Sequence, residues 1–97
     1  MKSILEIKKT LSKHKEYLKK KYNTMELGIF GSYARGEQKE TSDIDILVDF
    51  SVTPDLLKFI ELERTLEQLL GCKVDLVRKS SVRPELKTII LSGVIKI

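Results

Sequence analysis

Asp43 and Asp45 stand one residue apart in the run DIDILVDF. Side chains two apart on a strand point to the same face, so a strand here sets two carboxylates side by side. Such a pair repels itself and calls for a cation. An all-oxygen ligand set suits a hard divalent ion such as magnesium, which keeps some waters and takes phosphate oxygens as further ligands. A bare D-x-D equally fits an exposed strand start. Upstream lies Gly31-Ser32-Tyr33-Ala34-Arg35-Gly36. Glycine lets the backbone approach a ligand closely. A turn into a short helix presents several N–H groups to an anion, with the Ser32 hydroxyl as a further donor. Alone, G-S-x-x-x-G also fits a tight turn leaving a strand. It is neither a Walker A loop, which ends G-K-[ST], nor a G-x-G-x-x-G dinucleotide fingerprint. The third acidic candidate is Asp75, in Val74-Asp75-Leu76-Val77. A charge in an apolar strand is costly unless it meets a partner or a metal, or faces water at a sheet edge.

Periodicity supplies the elements that must position these groups. Ile4, Ile7, Leu11, His14 and Leu18 recur at three- and four-residue steps, which predicts an amphipathic helix over residues 3–21. Asn23-Thr24 breaks it, and Met25 to Phe30 is a short apolar run suited to a buried strand. Residues 31–42 are loop-like, with room for one or two helical turns. Asp43 to Phe50 places Ile44, Ile46, Val48 and Phe50 on one face, a strand signature. A helix over residues 54–70 follows, with Thr53 as cap, Pro54 at its first position, Gly71 at its end, and Leu56, Phe59, Leu62, Leu66 and Leu69 in helical period. Cys72 to Arg78 predicts a third strand, Ser81 to Ser92 a last helix, and Val94 to Ile97 a short extended tail.

The order is α-β-(α)-β-α-β-α, an α/β fold with a small mixed sheet flanked by helices. If one nucleotide touches both the Gly31-Ser32 loop and the Asp43/Asp45 pair, the first two strands run antiparallel. Asp75 joins them if strands two and three run parallel, with the helix over residues 54–70 as the crossover.

The 97 residues correspond to one small domain over 1–97 with a modest core. No apolar stretch is long enough for a membrane span, and MKSILEIKKTLSKHK lacks the apolar block of a signal peptide. Cys72 is the only cysteine, which excludes an internal disulfide and a cysteine-based zinc site, and favours the cytoplasm. The net charge of +4 suits an anionic substrate but does not by itself indicate nucleic acid. Lys19-Lys20-Lys21 reads as the solvated end of a helix, where cations suit the dipole.

Residues 31–50, GSYARGEQKETSDIDILVDF, resemble the signature of the DNA polymerase β-like nucleotidyltransferase superfamily: Gly-Ser, a spacer, Asp-x-Asp in a strand, and a third acidic residue on a later strand. The form GS-x-ARG followed by SDIDILV is similar to the minimal branch, the MntA-type antitoxins that accompany HEPN-family toxins. The resemblance implies that Gly31 and Ser32 hold the triphosphate of ATP. It implies that Asp43, Asp45 and Asp75 bind two magnesium ions, with manganese as an alternative, for in-line transfer. Asp75 would complete one metal site and assist the acceptor hydroxyl as a base. The implied acceptor is a tyrosine of a HEPN-type toxin, modified with AMP, since the chain has no room for an acceptor domain. Nucleic acid is disfavoured as a partner. Two alternatives stay open: a catalytically weak or inert antitoxin that neutralises its partner by docking, and a nucleotidyltransferase acting on a small molecule or RNA. Arg35 is a candidate for phosphate contact, for bracing the loop against an acidic neighbour, or for docking a partner. Packing is expected of Tyr33 over base stacking, a structural role of Asp49, and a packed or partner-facing role of His14.

Overall fold

A computed structural model describes residues 3–97. Helices α1 (Ile4–Lys13) and α2 (Lys15–Tyr22) lead into strand β1 (Thr24–Phe30), the short helix α3 (Gly31–Arg35) and strand β2 (Ile44–Phe50). Helix α4 (Leu56–Leu70), strand β3 (Val74–Arg78), a 3-10 turn (Lys79–Ser81), helix α5 (Pro84–Ser92) and strand β4 (Ile95–Lys96) follow. The sheet order is β3-β2-β1-β4. β1 pairs antiparallel with β2 and with β4, and β2 pairs parallel with β3. The mixed sheet and both strand directions expected from the sequence are present, and the extended tail pairs as β4.

Strand alternation decides which face is buried. Leu27 and Ile29 of β1, Ile44, Ile46 and Val48 of β2, and Val74 and Leu76 of β3 share one face and join the core. Ile7 and Leu11 of α1, Leu18 and Tyr22 of α2, and Leu62, Leu66 and Leu70 of α4 complete that core. The Tyr22 hydroxyl is satisfied there by the Glu61 carboxylate and the Thr65 hydroxyl, each at 2.8 Å. On the opposite face Gly28 lies against Val94, just beyond α5. Among the described residues no helix is long and apolar enough to cross a membrane.

Several boundaries depart from the sequence expectation. The first helix is interrupted at His14, whose backbone reaches φ −103°, ψ 7°. Its N–H is shared between the Thr10 and Leu11 carbonyls, and its ring Nδ1 lies 2.9 Å from the Thr10 carbonyl. That competition tightens the turn, and the ring is half-buried as the apolar stripe suggested. The cap of α4 is Asp55, not Thr53: its carboxylate accepts from the Lys58 N–H at 2.8 Å, so Pro54 falls outside the helix. Leu56 is 72% exposed because it lies at the very start of α4, while Leu70, outside the expected stripe, is fully buried. Gly71 closes α4 at φ 69°, as expected. β3 begins at Val74, two residues later than Cys72, and the last helix begins at Pro84 after the separate 3-10 turn.

Candidate active site

Gly31 is where β1 turns into α3. Its φ of 72° lies in the left-handed region, which favours glycine. A Cβ at this position would overlap the Asp45 carboxylate. Two independent constraints therefore demand glycine: the backbone angle, and the close approach to an acidic side chain on the neighbouring strand. Phe30 sits opposite Asp45 in the ladder, which brings the turn and the carboxylate together. Glu37 N–H donates to the Ser32 carbonyl at 2.9 Å and closes the turn. Among the described residues the Ser32 hydroxyl has no hydrogen-bond partner.

The parallel register sets Asp45 directly opposite Asp75. Asp45 is half-buried and Asp75 is exposed on the edge strand. Asp43 lies one residue before β2, outside the strand expected to include it, and is solvent-exposed. It still acts on the site through its field. Burial pushes the Asp45 carboxyl above the usual carboxylate range, the Asp75 and Asp43 charges push it further, and Arg35 opposes them. Among the described residues no three His, Cys, Asp or Glu side chains are drawn around a common point, so the aspartates form an open set. The donor chemistry fits a hard divalent cation: carboxylate oxygens only, two of them in ladder register, and one carboxyl whose affinity for a positive charge its neighbours raise.

Arg35 pairs with Glu37, Nε to Oε1 at 2.8 Å, with both side chains mostly exposed. Such a pair is worth little and leaves Arg35 free to turn elsewhere. Tyr33 is buried in the core, so it packs and does not stack on a ligand. Asp49 accepts from the Phe50 N–H at 3.0 Å, a local structural contact. Lys19, Lys20 and Lys21 form the last turn of α2.

A cleft of about 490 Å³ opens beside Asp45, lined by Phe30, Gly31, Ser32, Ala34 and Arg35 on one wall and by Ile89, Ile90 and Gly93 on the other. The α5 wall was missed from sequence. Its one detectable signal is the Ile89-Ile90 pair in a helix that buries no residue.

A small mixed sheet with a glycine turn packed against paired acidic strand residues is the architecture of a nucleotidyl-transferring domain. A family model described as "Nucleotidyltransferase domain" matches residues 11–97. Protein adenylyltransferase MntA of Thermococcus cleftensis is 52% identical over 95 residues, which is 98% of this chain and 96% of that protein. A crystal structure of a toxin–antitoxin with AMP-PNP has a TM-score of 0.73 at 30% identity, covering 88% of this chain and 69% of that one. A structure of the tri-AMPylated Shewanella oneidensis HEPN toxin in complex with MNT antitoxin gives a TM-score of 0.67 at 25% identity, covering 93% of this chain and 70% of that one. The chain belongs to the nucleotidyltransferase domain family, in its minimal, MntA-type branch.

Proposed function

We propose that this chain is a cytoplasmic, metal-dependent protein adenylyltransferase that moves AMP from ATP to a tyrosine of a HEPN-type toxin and acts as the antitoxin of the pair. The observation that carries this is the register of β2 against β3. It sets Asp45 beside Asp75, with Asp43 in the same field, at the end of the sheet where Gly31 abuts Asp45. The adenylyltransferase relative, the AMP-PNP complex and the AMPylated HEPN toxin support the choice of nucleotide and partner.

Asp43, Asp45 and Asp75 would hold two magnesium ions, with manganese able to replace them. When bound, such ions neutralise triphosphate charge, acidify the attacking hydroxyl and steady the leaving pyrophosphate. Gly31 and Ser32 take the triphosphate through backbone N–H groups and the hydroxyl. Arg35, weakly held by Glu37, turns to meet a phosphate as a rigid multi-donor group. In the transfer the tyrosine oxygen bonds to the α-phosphorus as the bond from that phosphorus to pyrophosphate breaks. The tyrosine proton, ordinarily held with a pKa near 10, passes to Asp75, which is exposed on the edge strand and within reach of an incoming group.

Co-expression with the neighbouring gene product, followed by intact-mass analysis, tests this. AMP mass on the partner, abolished by Asp43→Asn or by chelation, is the expected result. A stable complex that carries no added mass and is unaltered by Asp43→Asn would make the chain a docking antitoxin. AMP on RNA or on a small molecule would refute the partner.

A further inference from the structure

Helix α5 buries no residue, yet it carries Leu86, Ile89, Ile90 and Leu91. Ile89 is 70% exposed. β-branched residues are mediocre helix formers, so neither helix propensity nor the core accounts for isoleucine at this position. What Ile89 does face is the cleft, where with Ile90 and Gly93 it stands across from Gly31, Ser32, Ala34, Arg35 and Asp45. The cleft is polarised. Its charged and hydroxyl side chains, Ser32, Arg35 and Asp45, all come from the β1–α3–β2 wall, and the α5 wall carries no polar side chain. A nucleoside triphosphate is polarised in the same sense, with an anionic chain at one end and a flat ring with apolar faces at the other. The cleft volume, about 490 Å³, falls within the size range of small-molecule sites.

We propose that Ile89 and Ile90 form the nucleobase wall of the site, gripping the ring face of a nucleoside triphosphate whose phosphates lie against Gly31 and Ser32. This rests on the adenylyltransferase function proposed above. The grip works through contact area, so a purine gains more from it than a pyrimidine does, and a ligand with no base gains nothing. The α5 wall offers no side-chain donor or acceptor to read a base edge.

Calorimetric titration of the intact chain in magnesium, with ATP, CTP and inorganic tripolyphosphate as separate ligands, tests the wall. Ile89→Ser should bind ATP about tenfold more weakly, which corresponds to about 1.4 kcal/mol. CTP should lose less, and tripolyphosphate should bind unchanged. Ile90→Ala should follow the same order across the three ligands. Leu57→Ser alters a side chain 80% exposed on α4 and absent from the cleft lining; it should change none of them. Equal losses for ATP and tripolyphosphate, or no loss at all, would overturn the wall while leaving the adenylyltransferase function standing. A wild-type chain that binds neither ATP nor tripolyphosphate would overturn both.

Discussion

Gly31→Ala and Gly36→Ala form a matched pair of perturbations. Both glycines have φ 72°. A Cβ at Gly36 meets nothing within 4 Å, whereas one at Gly31 overlaps the Asp45 carboxylate. Forcing an L-residue into the left-handed region costs about 1–2 kcal/mol. For a domain of this size each kcal/mol moves Tm by roughly 4–8 °C. Both variants should therefore melt lower by about 5–15 °C. Only Gly31→Ala adds a clash, and rotating the carboxylate does not fully relieve it, because Asp45 Cγ and Cβ would also lie 3.0 and 3.3 Å from the new methyl. The β2 backbone is held by its ladders to β1 and β3, so the Asp45 side chain is what gives way. A displacement of about 1 Å in a catalytic group can cost about 100-fold in rate, or about 2.7 kcal/mol in barrier. The assay is AMP transfer by single-turnover mass analysis, run beside thermal melts. Gly31→Ala should lose about 100-fold and Gly36→Ala should stay close to wild type. If the two variants lose activity equally, Gly31 serves the turn alone and the argument from its contact with Asp45 is wrong.

The charged form of Asp45 is disfavoured in the fold by burial and by Asp75 and Asp43. Its folded pKa is raised, so the carboxylate destabilises the metal-free chain at neutral pH, and the penalty fades as pH falls through the raised value. Asp45→Asn should therefore melt above wild type at pH 7 in chelator while losing transfer, with the gap closing on acidification; a pH-independent gap would contradict the assignment. Ser32→Ala should weaken binding of a non-hydrolysable ATP analogue by roughly 1.5–3 kcal/mol, the worth of a hydrogen bond to a charged group, measured by calorimetry. Tyr22→Phe removes the bonds to Glu61 and Thr65. It should lower stability by about 1 kcal/mol in urea unfolding and leave transfer intact, because Tyr22 lies on the sheet face away from Asp45.

The strands were legible because alternation of residues such as Ile44, Ile46 and Val48 carries period two directly. Their directions were legible only through chemistry: the demand that Gly31, Asp45 and Asp75 meet fixed antiparallel β1–β2 and parallel β2–β3. Helix boundaries were less readable. Asp55 and Thr53 both cap well by type, and only the path of the chain into α4 decides between them. Asp43 looked like a strand residue because D-I-D-I alternates, but the ladder begins at Ile44, whose N–H donates to the Lys73 carbonyl at 2.9 Å. The α5 wall was hidden for a different reason. Ile89 and Ile90 carry no distinctive chemistry, and nothing local shows that the antiparallel pairing of β4 with β1 returns the end of α5 to the mouth of the site.

Placing two carboxylates opposite each other costs free energy, so something must hold the register against slipping. Side chains of Ile44, Ile46, Val74 and Leu76 alternate with those of Asp45 and Asp75 along β2 and β3. A one-residue slip of a strand would send its apolar set to the open face. Each apolar side chain buried contributes about 1.5–3 kcal/mol, so the four together contribute about 6–12 kcal/mol. Two unit charges at about 4 Å repel by roughly 1–4 kcal/mol between bulk-water and near-surface dielectric values, and Asp75 is solvent-exposed, which favours the lower end. The core therefore outweighs the repulsion. The acidic pair is held in place by the packing of α1, α2 and α4 on the far face, without needing favourable contacts of its own. That leaves the acidic pair, opposed by no ion pair among the described residues and only weakly offset by the Arg35 charge, poised for a cation. It also confines the cost of the site to the metal-free protein, where neutralising Asp45 should recover it.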